Sequence, residues 1–89
     1  MAVEINVLKT TWCVYCPRAI EIVKKVASEF GNRVVVKITD LEEDANREIA
    51  IKHNVMSVPT ILVNDEVAVV GMPKESDFRD KVKKAIAAG

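Results

Sequence analysis

Cysteine is nearly absent from this 89-residue chain, which has two, Cys13 and Cys16. Two thiols three positions apart cannot build the framework that staples small secreted domains. Glycine and proline occur three times each and histidine once, at His53. With so little punctuation no linker, repeat or low-complexity stretch appears. No apolar run approaches the ~20 residues of a membrane span, so no membrane association is expected. Neither sign of charge prevails, because 13 Lys and Arg balance 13 Asp and Glu. That balance removes the bulk basic field of a nucleic-acid binder and leaves no acidic tail. Glutamine is also missing while charge is abundant, a bias of thermophilic chains. The opening Met1-Ala2-Val3-Glu4 lacks the basic-then-apolar pattern of an export signal, so a cytoplasmic location is expected. In a reducing compartment a lone thiol pair points to catalysis, redox sensing or metal binding.

The length suits one small domain, spanning 1–89, which buries roughly 60% of its unfolded surface. Val3, Ile5 and Val7 alternate with Glu4 and Asn6, the period-two pattern of a strand at about 2–9. Ile20, Val23, Val26, Ala27 and Phe30 recur at helical spacing before Gly31-Asn32, which predicts a helix near 14–30. Val34, Val35, Val36 and Ile38 read as a buried strand over 33–39. Asp40 followed by Glu43 reads as a capping box opening a helix that runs to about Lys52. Two β-rich runs, 60–63 and 66–70, flank Asn64-Asp65, a tight hairpin turn. Gly71 ends the last strand, and Pro73 suits the first turn of a helix with Phe78, Val82, Ala85 and Ile86 on one face. The order β-α-β-α-β-β-α predicts an α/β fold, a four-stranded mixed sheet flanked by three helices. A right-handed first crossover would set the first two strands parallel.

Trp12-Cys13-Val14-Tyr15-Cys16-Pro17 falls where the first strand gives way to the first helix. A thiolate there faces unpaired N–H groups and the positive end of the helix dipole, which lowers its pKa. Cys13, near the N-cap and partly exposed, is the expected nucleophile. Cys16, one turn deeper, is the expected resolving thiol that displaces reduced product from a mixed disulfide. Pro17 lies within the first turn, where a missing N–H costs little. The same pair could serve a metal. A closed zinc site needs four ligands, however, and the chain adds only His53. Metal-carrier domains that place Cys-x-x-Cys after their first strand run β-α-β-β-α-β, whereas here a helix separates the second and third strands. A metal or iron–sulfur carrier remains the alternative reading, and a non-catalytic interaction module of the same fold a third.

Cys13-Val14-Tyr15-Cys16 after a strand, with Ser57-Val58-Pro59 about forty residues later, resembles the thioredoxin and glutaredoxin family over essentially the whole chain. Cys16-Pro17-Arg18-Ala19-Ile20, Asn54-Val55-Met56-Ser57-Val58-Pro59 and Gly71-Met72-Pro73-Lys74-Glu75 resemble small archaeal glutaredoxin-like thioredoxins and single units of archaeal protein disulfide oxidoreductases. The resemblance implies a thioredoxin fold and exchange of protein disulfides through a Cys13–Cys16 couple, with no cofactor beyond that couple and no metal. It implies disulfide-bearing protein substrates and an electron donor such as a thioredoxin reductase, and the protein is expected to be a monomer. It also implies a cis Val58–Pro59 bond beside the cysteines, which turns the Val58 backbone toward an extended substrate. Trp12 and Tyr15 on the rim, with Val58, Pro59 and Gly71, form the expected substrate-contact set. Three positions depart from the family. The buried acid six residues before the first cysteine of thioredoxins is Val7 here. The basic residue that glutaredoxins carry three before it is Thr10, with Lys9 one place earlier. Their glutathione-gripping Gly-Gly and acidic pair are replaced by Gly71-Met72-Pro73, so glutathione binding is not expected.

The remaining chemistry-bearing residues read as structural. His53 is expected at a helix end on the surface, without a ligand partner. Lys37 is expected to carry its ammonium out to solvent along an apolar stem. Lys74, Arg79, Lys81, Lys83 and Lys84, interleaved with Glu75, Asp77 and Asp80, form a solvated face on the last helix.

Overall fold

The computed structural model describes residues 2–88. Strand β1 (Val3–Lys9) leads to helix α1 (Cys16–Ser28), and a 3-10 turn at Gly31–Arg33 precedes strand β2 (Val34–Asp40). A second 3-10 turn at Asp44–Asn46 opens helix α2 (Arg47–Lys52). Strands β3 (Thr60–Val63) and β4 (Glu66–Val70) follow, then helix α3 (Glu75–Ala88). The sheet order is β2-β1-β3-β4. Strand β1 runs parallel to β2 and antiparallel to β3, giving the mixed sheet that the element order implied.

The apolar period explains which side of the sheet each helix covers. Val3, Ile5, Val7, Ile61 and Val63 share one face and pack against Val23, Val26, Ala27, Phe78 and Val82. Those residues come from α1 and α3, so both helices lie on that face. Phe78 is fully buried at its centre. Leu8, Thr39, Thr60 and Leu62 are buried on the opposite face. The hairpin turn is as expected: Asn64 and Asp65 take φ of 49° and 67°, the two left-handed residues of a type I′ turn. Asn64 also ties this turn to β1, since its Oδ1 accepts from Glu4 N–H at 2.9 Å and its own N–H donates to Glu4 O at 2.8 Å.

Four local expectations are corrected. Strand β2 is an edge strand, not a buried one. Val34 and Thr39 are buried, but Val35 and Ile38 are exposed and Lys37 points to solvent. A run of β-branched residues has no signal for which strand will lie at the margin. The Asp40–Glu43 capping box does not form, because Asp40 ends β2 opposite Lys9 in the ladder. Its Oδ1 instead accepts from Glu42 N–H at 2.9 Å, an Asx-type turn. Helix α2 is therefore six residues long, with Asn46 at its N-cap. Helix α1 starts at Cys16, with Tyr15 at the N-cap, so Cys13 lies two residues before the cap. Pro73 precedes α3 rather than opening it. A further irregularity sits in β4: Ile61 pairs with Val69 and Leu62 with Val67, leaving Ala68 as the extra residue of a bulge.

Candidate active site

The ladder gathers the motif residues at one end of the sheet. Lys9 pairs with Asp40, Leu8 with Thr60, and Thr60 with Val70. The chain leaving β1 (residues 10–15), the loop entering β3 (54–59) and the chain leaving β4 (from Gly71) are therefore neighbours. Two main-chain bonds brace this end of the sheet, the second of them joining the loop that enters β3 to the chain that leaves β4. Leu41 N–H donates to Lys9 O at 2.8 Å, and Gly71 N–H donates to Pro59 O at 2.7 Å. Gly71 takes φ of +87°, a conformation that disfavours side chains with a Cβ.

Cys13 and Cys16 are joined as a disulfide with Cα atoms 5.4 Å apart, so this is the oxidised state. Cys13 N–H donates to Thr10 O at 3.3 Å, which turns the loop back before the helix starts. Cys13 is partly exposed, whereas Cys16 is 1% exposed. The asymmetry is geometric, since Cys16 is the first residue of α1 and sits under the loop. Pro17 in the first turn donates no N–H, and no acidic residue lies in that turn. The positive end of α1 thus meets no carboxylate of its own helix.

Around the pair the surface is apolar. Trp12 is 85% exposed and Tyr15 65% exposed, with Val14 and Met72 also open to solvent. Val58 is half-buried and Pro59 buried, and the bond between them is cis. The loop that carries them is well anchored. His53 caps α2 and Asn54 follows with φ of 53°. Asn54 N–H donates to Ile51 O at 3.2 Å, and Val55 N–H to Ala50 O at 2.9 Å, the paired bonds of a Schellman motif. Farther on, the Thr60 hydroxyl donates to Ser57 O at 2.7 Å.

His53 departs most from its expected role. Its side chain is 9% exposed, and it links two elements rather than facing water. Nδ1 lies 3.0 Å from Ile49 O and Nε2 2.8 Å from Asp65 O. The Asp65 carboxylate is 3.4 Å from Nε2 and also bonds Lys52 Nζ at 3.1 Å. That lysine is the main reason the Asp65 carboxyl is held below its ordinary range. The ring pins the end of α2 to the β3–β4 turn, a contact twelve residues away in sequence. The only local hint of it was a histidine followed by Asn54, a helix-ending pair.

Among the described residues, no group of three or more His, Cys, Asp or Glu side chains is placed to hold a metal. The carrier reading thus finds no third ligand. No helix among them is long and apolar enough to cross a membrane. The family model of the thioredoxin domain matches residues 3–83. The chain belongs to the thioredoxin family. A probable thioredoxin of Methanothermobacter thermautotrophicus is 38% identical over 82 residues, 92% of this chain and 94% of that protein. One of Methanothermobacter marburgensis is 37% identical over 86 residues, 97% and 99% of the two chains. Among solved structures, a protein disulfide oxidoreductase from Aeropyrum pernix superposes with a TM-score of 0.82 at 36% identity. The match covers 98% of this chain and 38% of that one, so the thioredoxin domain here corresponds to part of a longer protein there. Family membership and the joined Cys13–Cys16 pair define a thiol–disulfide oxidoreductase, an enzyme of the dithiol class acting on disulfide substrates.

Proposed function

We propose that the protein reduces or exchanges disulfides of client proteins in the cytoplasm, as a monomer that draws electrons from a reductase of the thioredoxin-reductase kind. The observation that carries this reading is the unequal burial of two cysteines sharing one disulfide. In the reduced protein the accessible Cys13 thiolate attacks one sulfur of a client disulfide. A mixed disulfide forms and the client's other sulfur leaves as a thiolate. Cys16 then attacks Cys13 Sγ, and the client's second cysteine leaves. Two electrons pass to the client and the Cys13–Cys16 disulfide returns. No cofactor beyond the couple is needed for this cycle. Trp12, Tyr15, Val58, Pro59 and Gly71 provide the client's contact surface, with the Val58 backbone as its docking edge.

The experiment is trapping. With Cys16→Ser the second step has no nucleophile, so Cys13 should accumulate covalent adducts with disulfide proteins, released by dithiothreitol. Cys13→Ser should hold almost none. Equal trapping by both variants would overturn the assignment of roles.

A further inference from the structure

Thr60, the first residue of β3, carries a hydroxyl that the sulfur chemistry does not use. Its backbone is held from both sides, opposite Leu8 of β1 and Val70 of β4, and the residue is buried. The hydroxyl donates to Ser57 O at 2.7 Å, back across Val58 and Pro59. A donor seated in the middle of the sheet fixes the direction of the carbonyl that accepts from it. The peptide unit from Ser57 to Val58 is planar and trans, so its C=O and N–H point opposite ways. With the C=O turned in to Thr60, the Val58 N–H is turned out. Among the described residues that N–H donates to no protein acceptor. The same loop is fastened a second time, where Pro59 O accepts from Gly71 N–H. Of these two bonds, only that of Thr60 acts on the plane that holds the Val58 N–H.

We propose that Thr60 is a positioning residue of the exchange reaction, whose hydroxyl holds the Val58 N–H where a main-chain carbonyl of the client accepts from it. The inference rests on the docking role given above to Val58. Main-chain pairing with an extended client requires an N–H aimed at the client, and a bond bent below ~120° loses most of its strength. Without the Thr60 donor the Ser57–Val58 plane is free to turn. The client then meets an N–H of no fixed direction, and binding bears the cost of ordering it. The Thr60 hydroxyl bonds neither cysteine, so the two sulfur steps do not depend on it. Its removal should therefore weaken the grip on a peptide chain and leave the dithiol as reactive as before.

The test compares Thr60→Val, which keeps the shape and removes the donor, with Thr60→Ser, which keeps the donor. The substrates are a synthetic peptide with one internal disulfide and hydroxyethyl disulfide, which has no main chain to dock and reports the folded dithiol. Thr60→Val should raise KM for the peptide about 5-fold at unchanged kcat, the worth of one neutral hydrogen bond. Its reduction of hydroxyethyl disulfide should not change, and Thr60→Ser should restore the low KM. Thr60→Val handling the peptide as the unmodified protein does would overturn the proposal. A proportionate loss on both substrates would do the same, since the hydroxyl would then serve the fold rather than the docking edge. So would a KM in Thr60→Ser as high as in Thr60→Val. The reading beneath is checked separately by N-methylating the peptide's amides beside the attacked cysteine, which blocks the client N–H that pairs with Val58 O. That change should raise KM in the unmodified protein, and an unchanged KM refutes the docking role of Val58. An unmodified protein that reduces neither substrate refutes the exchange reading itself.

Discussion

Replacing Val7 by aspartate tests whether the interior is as apolar as the packing implies. Val7 is fully buried in β1, between Ile38 of β2 and Ile61 of β3 in the ladder. The cluster it joins consists wholly of apolar side chains. Losing the buried valine costs about 1.5–3 kcal/mol. The carboxyl adds a second cost that depends on pH. Burial without a partner raises a carboxyl pKa by about 3–5 units, so in the folded protein the group stays neutral. The unfolded chain ionises it near pH 3.9, and each further pH unit costs about 1.4 kcal/mol. The sign follows: the folded state holds the extra proton, so stability falls as pH rises from about 4 toward the raised native value. At pH 7 the ionic part reaches about 4 kcal/mol, for a total near 6–7, against 5–15 kcal/mol of total stability in ordinary domains. Urea unfolding of Val7→Asp and Val7→Asn, each from pH 4 to pH 8, reads the effect. The aspartate variant should be folded at pH 4 and largely unfolded at pH 7, with asparagine showing no such slope relative to the unmodified protein. An aspartate profile parallel to that of asparagine would mean that water or a counter-charge reaches Val7, and would refute the argument.

Two further outcomes follow from surface and charge. In the reduced protein, limiting iodoacetamide should label Cys13 well before Cys16, because Cys16 is 1% exposed; peptide mapping reads the ratio, and preferential labelling of Cys16 would reverse the mechanism. Arg79 grips Glu29 through two bonds of 2.8 and 2.7 Å and reaches Glu75 at 3.0 Å, while Lys25 meets Glu75 at 3.0 Å. The Arg79 guanidinium is the leading cause that holds both carboxyls below their ordinary range. Stability from a lowered carboxyl is present above the unfolded value of 4.5 and is lost as pH falls through the native value. Thermal melts of Arg79→Ala should therefore lose less between pH 5 and pH 3 than those of the unmodified protein, and 0.5 M salt should shrink the difference.

How much of this was legible depended on how far each determinant lies along the chain. The alternation of Val3, Ile5 and Val7, the helical spacing of Val23, Val26 and Ala27, and the left-handed pair Asn64-Asp65 are local, and each appears where its pattern places it. Cys13 and Cys16 sit at the strand-to-helix junction, although α1 begins later than its apolar spacing suggested. What escaped reading is relational. Strand β2 looks buried from its own residues because exposure is set by strand order. Asp40 looks like a helix cap until its place in the ladder with Lys9 is known. His53 finds Ile49 and Asp65 only after the hairpin folds back against α2.

The two margins of the sheet carry a consequence for solubility. Strand β2 exposes Val35 and Ile38, but Lys37 stands on the same face as Val35. In an antiparallel pairing of two β2 strands centred on Lys37, the two ammonium groups would stand opposite each other, and like charges so placed destabilise the pair. On β4 the guard is geometric, since the extra residue at Ala68 kinks a strand of only five residues and breaks the ladder that another chain would need. Each margin thus carries a feature that opposes growth of the sheet from one molecule to the next. Shielding of both free edges makes it less favourable for the molecule to add strands to itself as its concentration rises.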